Sequence, residues 1–268
     1  MGELSGIIKF VGTVGNVRVY YNKALKRYIV STKGTTPKEV IKNNPAFARQ
    51  RENMAEFKCC SFWASLLRSV LFDLEHLFAG YYFSGFMSLG KKIQKHDDVG
   101  ARGFRALESS KEAHLLTSLV FNKMHPFDKV CSQKIETWFS ADRKRVTLTM
   151  PGFRSYSRLT WPTQIQSYRL ALLIGQLSDF AWSEGDSCYK PVVAGLQDRS
   201  VMVYSEWRKT STEPEDVVMT ASFAEPALQQ PGTAVLVVLG IEISVGTAEM
   251  NGGDPTGLGT MKIVECYT

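Results

Sequence analysis

Residues 85–91 come closest to a known chemical motif, because Gly85, Gly90 and Lys91 match the G-x-x-x-x-G-K spacing of a phosphate-binding loop. Such a loop needs Ser or Thr after the lysine for magnesium. It must also lie between a buried strand and a helix, so that backbone N–H groups converge on the phosphates. Lys92 follows here, and one apolar helical stripe continues through both glycines. We therefore expect a helix at this position and no nucleotide site.

His125 and Asp128 form a second candidate, because an imidazole and a carboxylate that lie close together can transfer protons. No nucleophile motif such as G-x-S-x-G accompanies them, and a histidine at a helix end commonly makes a local cap contact. Asp97 and Asp98 are neighbours in the sequence and could bind a cation. The sequence around them lacks the further oxygen ligands of a calcium loop. We therefore expect a protein that is not an enzyme, with no catalytic residue and no cofactor.

The cysteines predict neither a metal site nor a disulfide framework. Their number is odd, no two have C-x-x-C spacing, and the two adjacent ones point about 100° apart on a helix. We expect reduced thiols that pack as small apolar groups. The five cysteines are Cys59, Cys60, Cys131, Cys188 and Cys266.

An unusually aromatic segment at residues 78–86 predicts a contact surface. A helix that buries Tyr82 and Phe86 turns Tyr81 or Phe83 elsewhere, and aromatic side chains often anchor protein interfaces. The alternative is that the segment forms the core of a helical layer. The predicted interface residues are Phe78, Tyr81, Tyr82, Phe83 and Phe86.

Before residue 130 the pattern indicates a three-stranded β meander followed by helices. Residues 7–11, 17–21 and 27–30 are β-prone and are separated by turns, the first at residues 12–16. Apolar residues then recur at helical spacing. The predicted helices cover residues 47–77, with room for one break, 81–95, and 107–124.

After residue 130 the period changes to that of β-strands, with turns every ten to twenty residues. We therefore predict an α+β protein with two domains: a β meander packed with helices over 1–130, and an antiparallel β-sandwich of immunoglobulin-like architecture over 131–268. Residues 234–239 are apolar on both faces, as in a central strand. The seven predicted strands are 134–139, 145–150, 168–174, 201–207, 217–223, 233–245 and 260–267.

Two stretches resemble an uncharacterised protein family of Bacteroidota bacteria. Residues 12–21 have its G-T-x-G hairpin, and residues 44–57 have its N-x-P-A-F-x-R-x-R-E-N helix start, with Asn44 where the family tends to have Asp. Residues 100–103 are similar to its short A-R-G element. The resemblance implies a bacterial origin and a two-part design, and it implies no activity. We interpret the matching residues as a structural junction: Gly12, Gly15, Asn44, Pro45, Phe47, Arg51 and Glu52.

The charge is uneven along the chain. Residues 1–130 carry 20 Lys and Arg against 11 Asp and Glu, whereas residues 131–268 carry 12 against 15. Opposite charges on the two halves favour head-to-tail contacts between copies, which build rings or filaments. We therefore predict a structural protein that self-assembles as a homo-oligomer or joins a larger bacterial or phage-like particle.

Two alternatives are open. The basic half with its interleaved aromatics also suits a nucleic-acid-binding module, although it contains no dense basic run. A carbohydrate- or ligand-binding sandwich is the other, and it requires a pocket with convergent polar groups. Trp161, Trp182 and Trp207 are the candidates to line that pocket.

Composition limits the location of the protein. The chain has 268 residues, of which 44% are apolar and 22% charged, as in a soluble globular protein. Apolar stretches end well short of 18 residues, so we expect no membrane insertion. The first residues lack an apolar run of signal-peptide length, which predicts a cytoplasmic protein, with export inside an assembly left open.

Overall fold

The computed structural model describes residues 2–3, 10–23, 25–32, 36–80, 82–245 and 258–268. Its chain divides into two compact units, Met1–Met54 and Ala55–Thr268. This division differs from the boundary expected at residue 130. Side chains of the helices after residue 55 share one core with strands from the second half, so the two belong to the same unit.

The structure contains fourteen strands in its described residues. They are β1 Gly2–Glu3, β2 Gly12–Val14, β3 Val17–Asn22, β4 Arg27–Thr32, β5 Glu136–Phe139, β6 Arg145–Phe153, β7 Ile165–Ser178, β8 Phe180–Ser183, β9 Cys188–Pro191, β10 Ser200–Tyr204, β11 Arg208–Lys209, β12 Glu215–Ser222, β13 Thr233–Val245 and β14 Gly259–Tyr267.

Helices are fewer in the described residues. The α-helices are α1 Lys38–Asn43, α2 Ala48–Val70, α3 Phe83–Gln94, α4 Ala113–Thr117, α5 Phe127–Val130 and α6 Ser155–Arg158, and the 3-10 helices are Pro45–Phe47, Phe72–Leu77 and Ser109–Lys111. No helix in this part of the chain is both long and apolar enough to cross a membrane.

The first unit contains an antiparallel sheet with the order β1-β4-β3-β2. Gly12 lies in strand β2, not in the turn expected there. The hairpin turn is formed by Gly15 and Asn16, and Gly15 has a φ of +57°, at the position where a type II′ turn requires glycine. Residues 7–9 of the first predicted strand lie outside the described residues.

A five-stranded antiparallel sheet forms the centre of the second unit, with the order β10-β7-β13-β14 and β11 also paired with β7. Its two middle strands, β7 and β13, are apolar along nearly their whole length because both of their faces are covered. Leu170 and Leu172 face one core, and Ala171 and Leu173 face the other. Residues 234–239 therefore occupy a central strand, as predicted.

A helical layer covers one face of this sheet. The α2 side chains of Trp63 and Leu67 are fully buried there with Leu74 of the following 3-10 helix and Phe86 of α3. The apolar stripe predicted over residues 47–77 thus becomes a 3-10 helix, α2 and a second 3-10 helix.

A three-stranded antiparallel sheet, β12-β6-β5, covers the other face. Leu148 of β6 and Met219 of β12 share a core with Leu172 and Val237 of the central sheet. These layers confirm the predicted α+β class with antiparallel sheets.

The prediction of a long helix over residues 107–124 is wrong. Leu107 forms a β-bridge with Phe180 instead, and only a 3-10 turn and the five-residue α4 follow. Ser109 and Ser110 hydrogen-bond the Asp179 carboxylate, so a partner distant in the sequence overrides the local helical pattern.

Candidate functional site

The predicted aromatic interface is part of the helical core. Phe86 is fully buried, and Phe78, Tyr82 and Phe86 pack around Phe121, with ring centroids 5.4 to 6.2 Å from it. Phe83 is half-buried against the same core. Tyr81 lies outside the described residues. Phe121, which lies outside the aromatic segment 78–86, packs against three of its rings.

Residues 85–91 lie within α3, as expected, and form no phosphate loop. Lys91 forms an ion pair with the buried Glu56 of α2. Glu56 also accepts a hydrogen bond from the Gly103 N–H at 3.0 Å, and the Tyr189 hydroxyl donates to the Gly103 carbonyl at 3.0 Å. The short element at residues 100–103 is thus fixed between α2 and β9.

The side chains of His125 and Asp128 have different partners. The His125 ring lies 4.2 Å from the Trp161 ring, and Asp128 pairs with Lys262 Nζ at 2.6 Å. All five cysteines are free. Within the described residues, no group of three or more His, Cys, Asp or Glu side chains is placed to hold a metal ion.

The junction residues form a local capping network in the first unit. Asn44 Oδ1 accepts a hydrogen bond from the Ala46 N–H at 2.9 Å, with Pro45 at the start of the 3-10 helix. Arg51 donates to the carbonyls of Ile41 and Asn44, both at 2.8 Å. Both carbonyls belong to the end of α1 and the residue that follows it. Phe47 and Glu52 are half-buried.

A surface cleft lies at the end of the central sheet where β7 begins and β13 ends. As bounded by the described residues, it consists of two adjoining cavities of about 730 and 220 Å³ that share Thr163, Gln164, Ile165 and Thr210. We call it the Trp161 cleft. Its lining residues are Ser155, Tyr156, Leu159, Thr160, Trp161, Thr163, Gln164, Ile165, Gln166, Lys209, Thr210 and Val245.

Hydrogen bonds from neighbouring segments fix the frame of the Trp161 cleft. The Ser211 N–H donates to Ser155 Oγ at 2.8 Å, and the Tyr156 N–H donates to the Ser211 carbonyl at 2.9 Å. The Thr160 N–H donates to the Val130 carbonyl at 2.8 Å. The walls are therefore positioned before any ligand arrives, which lowers the ordering cost of binding.

The cleft offers neutral polar groups beside aromatic rings. Thr163, Gln164 and Gln166 are exposed, and their side chains make no hydrogen bond to other described residues. Tyr156 is 62% exposed, and the Trp161 indole is held by the His125 ring. Lys209 is the one charged side chain among the described lining residues. Such a surface is suited to binding through ring stacking and hydrogen bonds.

The other two candidate tryptophans lie elsewhere. Trp182 packs in the helical core, with its ring 4.9 Å from Phe104 and 5.3 Å from Tyr189. Trp207 is 40% exposed and lies beside Arg169. Of the three, only Trp161 lines the cleft.

Sequence reasoning missed a polar cluster around Glu242. This carboxylate is 4% exposed and accepts from Arg169 Nε at 2.6 Å, with His76 Nε2 2.7 Å from its other oxygen. The sequence signal that could have indicated this cluster is Glu242 itself, the single charged residue in the mostly apolar strand β13.

No protein-family model, curated protein or solved structure matches the chain. The resemblance to a Bacteroidota family stays a prediction.

Proposed function

We propose that the protein is a non-enzymatic carbohydrate-binding protein whose ligand lies in the Trp161 cleft. The observation that carries the proposal is one preformed cleft that combines the exposed Tyr156 ring and the half-buried Trp161 ring with unpaired hydroxyl and amide side chains. This was one of the alternatives left open by the sequence.

The chemistry of sugars fits this surface. A sugar ring has an apolar C–H face that can stack on Tyr156 or Trp161, and hydroxyl groups that both donate and accept hydrogen bonds. Gln164 and Gln166 each provide a donor and an acceptor on one amide, and Thr163 provides a hydroxyl. Cavities of several hundred Å³ are the size that small ligands occupy.

The arrangement of the sheets supports the same proposal. The five-stranded and three-stranded sheets enclose one apolar core, and we propose that they form the β-sandwich predicted from the sequence. The cleft lies at the end of these sheets, where loops and strand ends meet without disturbing the core.

The proposal is tested with a panel of soluble oligosaccharides and the full-length protein, using intrinsic tryptophan fluorescence and calorimetry. We expect at least one saccharide to bind, and Tyr156→Ala and Gln164→Ala each to weaken it about tenfold, the loss of one or two hydrogen bonds or stacking contacts. Trp138→Ala is the matched control, because Trp138 is 61% exposed on the three-stranded sheet, away from the cleft. Binding that survives both cleft variants, or no binding across the panel, rejects the proposal.

Self-assembly is a second proposal, now through exposed aromatic side chains outside residues 78–86. Phe57 and Phe62 of α2 and Phe72 of the next helix are 63%, 40% and 65% exposed, and exposed aromatic side chains are typical of interfaces. Light scattering over a range of concentrations tests it. We expect a species larger than 30.0 kDa that shifts towards monomer in Phe57→Ser and Phe72→Ser; a monomer at every concentration rejects it. Nucleic-acid binding stays a prediction.

A further inference from the structure

The polar cluster around Glu242 holds Arg169 in a fixed position on the helix-facing side of the central sheet. Arg169 and Glu242 are paired residues of β7 and β13, and Arg169 Nε donates to Glu242 Oε2 at 2.6 Å. His76 Nε2 lies 2.7 Å from the other oxygen of this carboxylate. The Glu242 carboxylate is thus paired with two basic side chains, Arg169 and His76.

The Arg169 guanidinium is also held by two aromatic rings. Its central carbon lies 4.1 Å from the Tyr204 ring centroid and 5.1 Å from that of Trp207. The side chain keeps 25% of its surface exposed, and no described residue accepts a hydrogen bond from its two terminal nitrogens. Those nitrogens form an oriented pair of donors, the geometry that matches a carboxylate in a bidentate manner.

Arg169 lies on β7, the strand that also supplies Ile165 and Gln166 to the Trp161 cleft. Ser167 and Arg169 are two residues apart on one face of β7, a separation of about 7 Å along the strand. Lys209 of β11 pairs with Ser167 and also lines the cleft. Lys209, which lines the cleft, is therefore followed along β7 by a second cation, Arg169, which lies beside Trp207.

We propose that the ligand is an acidic oligosaccharide, whose uronic acid carboxylates are bound by Lys209 and Arg169 while its rings occupy the Trp161 cleft. This inference rests on the proposed function and adds the chemical class of the sugar. The neutral hydroxyl and amide groups of the cleft hold the sugar rings, and the two cations select the acid over its neutral counterpart.

The experiment compares oligogalacturonate and oligomannuronate with their own methyl esters, which keep the sugar rings and remove the charge. We expect the wild-type protein to bind one of the acids about tenfold more tightly than its ester, the contribution of one charge-assisted contact. Lys209→Gln and Arg169→Lys should each lower the ratio of acid affinity to ester affinity, which is the quantity that the experiment measures. The arginine variant keeps a cation beside Glu242, and circular dichroism checks its fold.

Lys190→Gln is the control, because Lys190 is an exposed cation that pairs with Asp186 in the β8–β9 hairpin. Equal binding of acid and ester overturns the inference and leaves carbohydrate binding intact. A preference for the acid that survives both Lys209→Gln and Arg169→Lys has the same meaning. If neither acid nor ester binds while other sugars do, the inference also fails. No binding of any saccharide overturns the proposed function, and this inference with it.

Discussion

The Ser109 hydroxyl donates a hydrogen bond to Asp179 Oδ1 at 2.9 Å, in a part of the protein where both side chains are almost fully buried. Trp63 Nε1 donates to the same hydroxyl at 3.1 Å. The Ser110 N–H and hydroxyl complete the set of donors to Asp179. This chain of bonds connects α2, the segment before α4 and the residue that follows β7.

Asp179 gives the protein a specific dependence on pH. Burial raises the pKa of its carboxyl, and the serine donors offset this only in part. Because the folded protein then holds the proton more tightly than the unfolded chain, the free energy of unfolding contributed by Asp179 falls as pH rises from about 4 towards neutrality. Asp179→Asn does not titrate, so its stability relative to wild type should rise over that range in urea unfolding. A constant difference would contradict this.

Glu56 should show the opposite dependence. Burial alone would raise the pKa of this carboxyl, but the Lys91 ion pair, the Gly103 N–H and Arg105 together hold it below its usual value of 4.5. Its contribution to stability is therefore complete above that value and is lost as pH falls through the folded-state pKa. We expect Glu56→Gln to cost about 1 to 2 kcal/mol at pH 7, and less below pH 4. Glu108→Gln, at a more exposed ion pair with Lys111, is the control and should change stability little.

The thiols should differ sharply in reactivity. Cys59, Cys60, Cys131 and Cys266 are buried, and burial raises the pKa of each, to about 11 for Cys60 and about 12 for Cys266. Cys188 is half-buried. Because the thiolate is the reactive form, we expect one thiol to react quickly with a disulfide reagent in the native protein and five in denaturant. Mass spectrometry should identify the fast site as Cys188; rapid labelling of the Cys59–Cys60 pair would contradict this.

Gly175 allows α2 to approach the central sheet. A Cβ at this position would lie 2.4 Å from Val70 Cγ1, so Gly175→Ala forces a shift in a packed core. We expect a cost of about 1 to 3 kcal/mol in the free energy of unfolding. Gly185→Ala is the matched control, because no atom lies within 4 Å of its Cβ position. Equal effects of the two substitutions would mean that the core absorbs the extra methyl group.

The sequence predicts elements well where the local pattern and the tertiary environment agree. Strand β13 has an apolar run that is buried on both faces, so its extent, residues 233–245, is read directly from the residues. The 107–124 helix failed because its apolar spacing says nothing about Asp179, which is some 70 residues away and binds Ser109 and Ser110.

The candidate site is less predictable for the same reason. Trp161 was a candidate for a pocket wall, but Lys209 and Thr210 reach the same cleft only through the pairing of β11 with β7. A single sequence does not specify that pairing. The surroundings of the aromatic segment were equally beyond the local pattern, because the rings of Phe78, Tyr82 and Phe86 pack against Phe121, some 35 residues further along the chain.

The central sheet also sets the order of events when the protein is made. The helical layer is synthesised first, yet the strands it packs on, β7, β13 and β14, follow roughly one hundred residues or more later. Contacts so distant in sequence form slowly and leave apolar surface uncovered in the meantime. We therefore expect Trp63, Leu67 and Leu74 to stay incompletely covered during synthesis until the strands of the central sheet have been made.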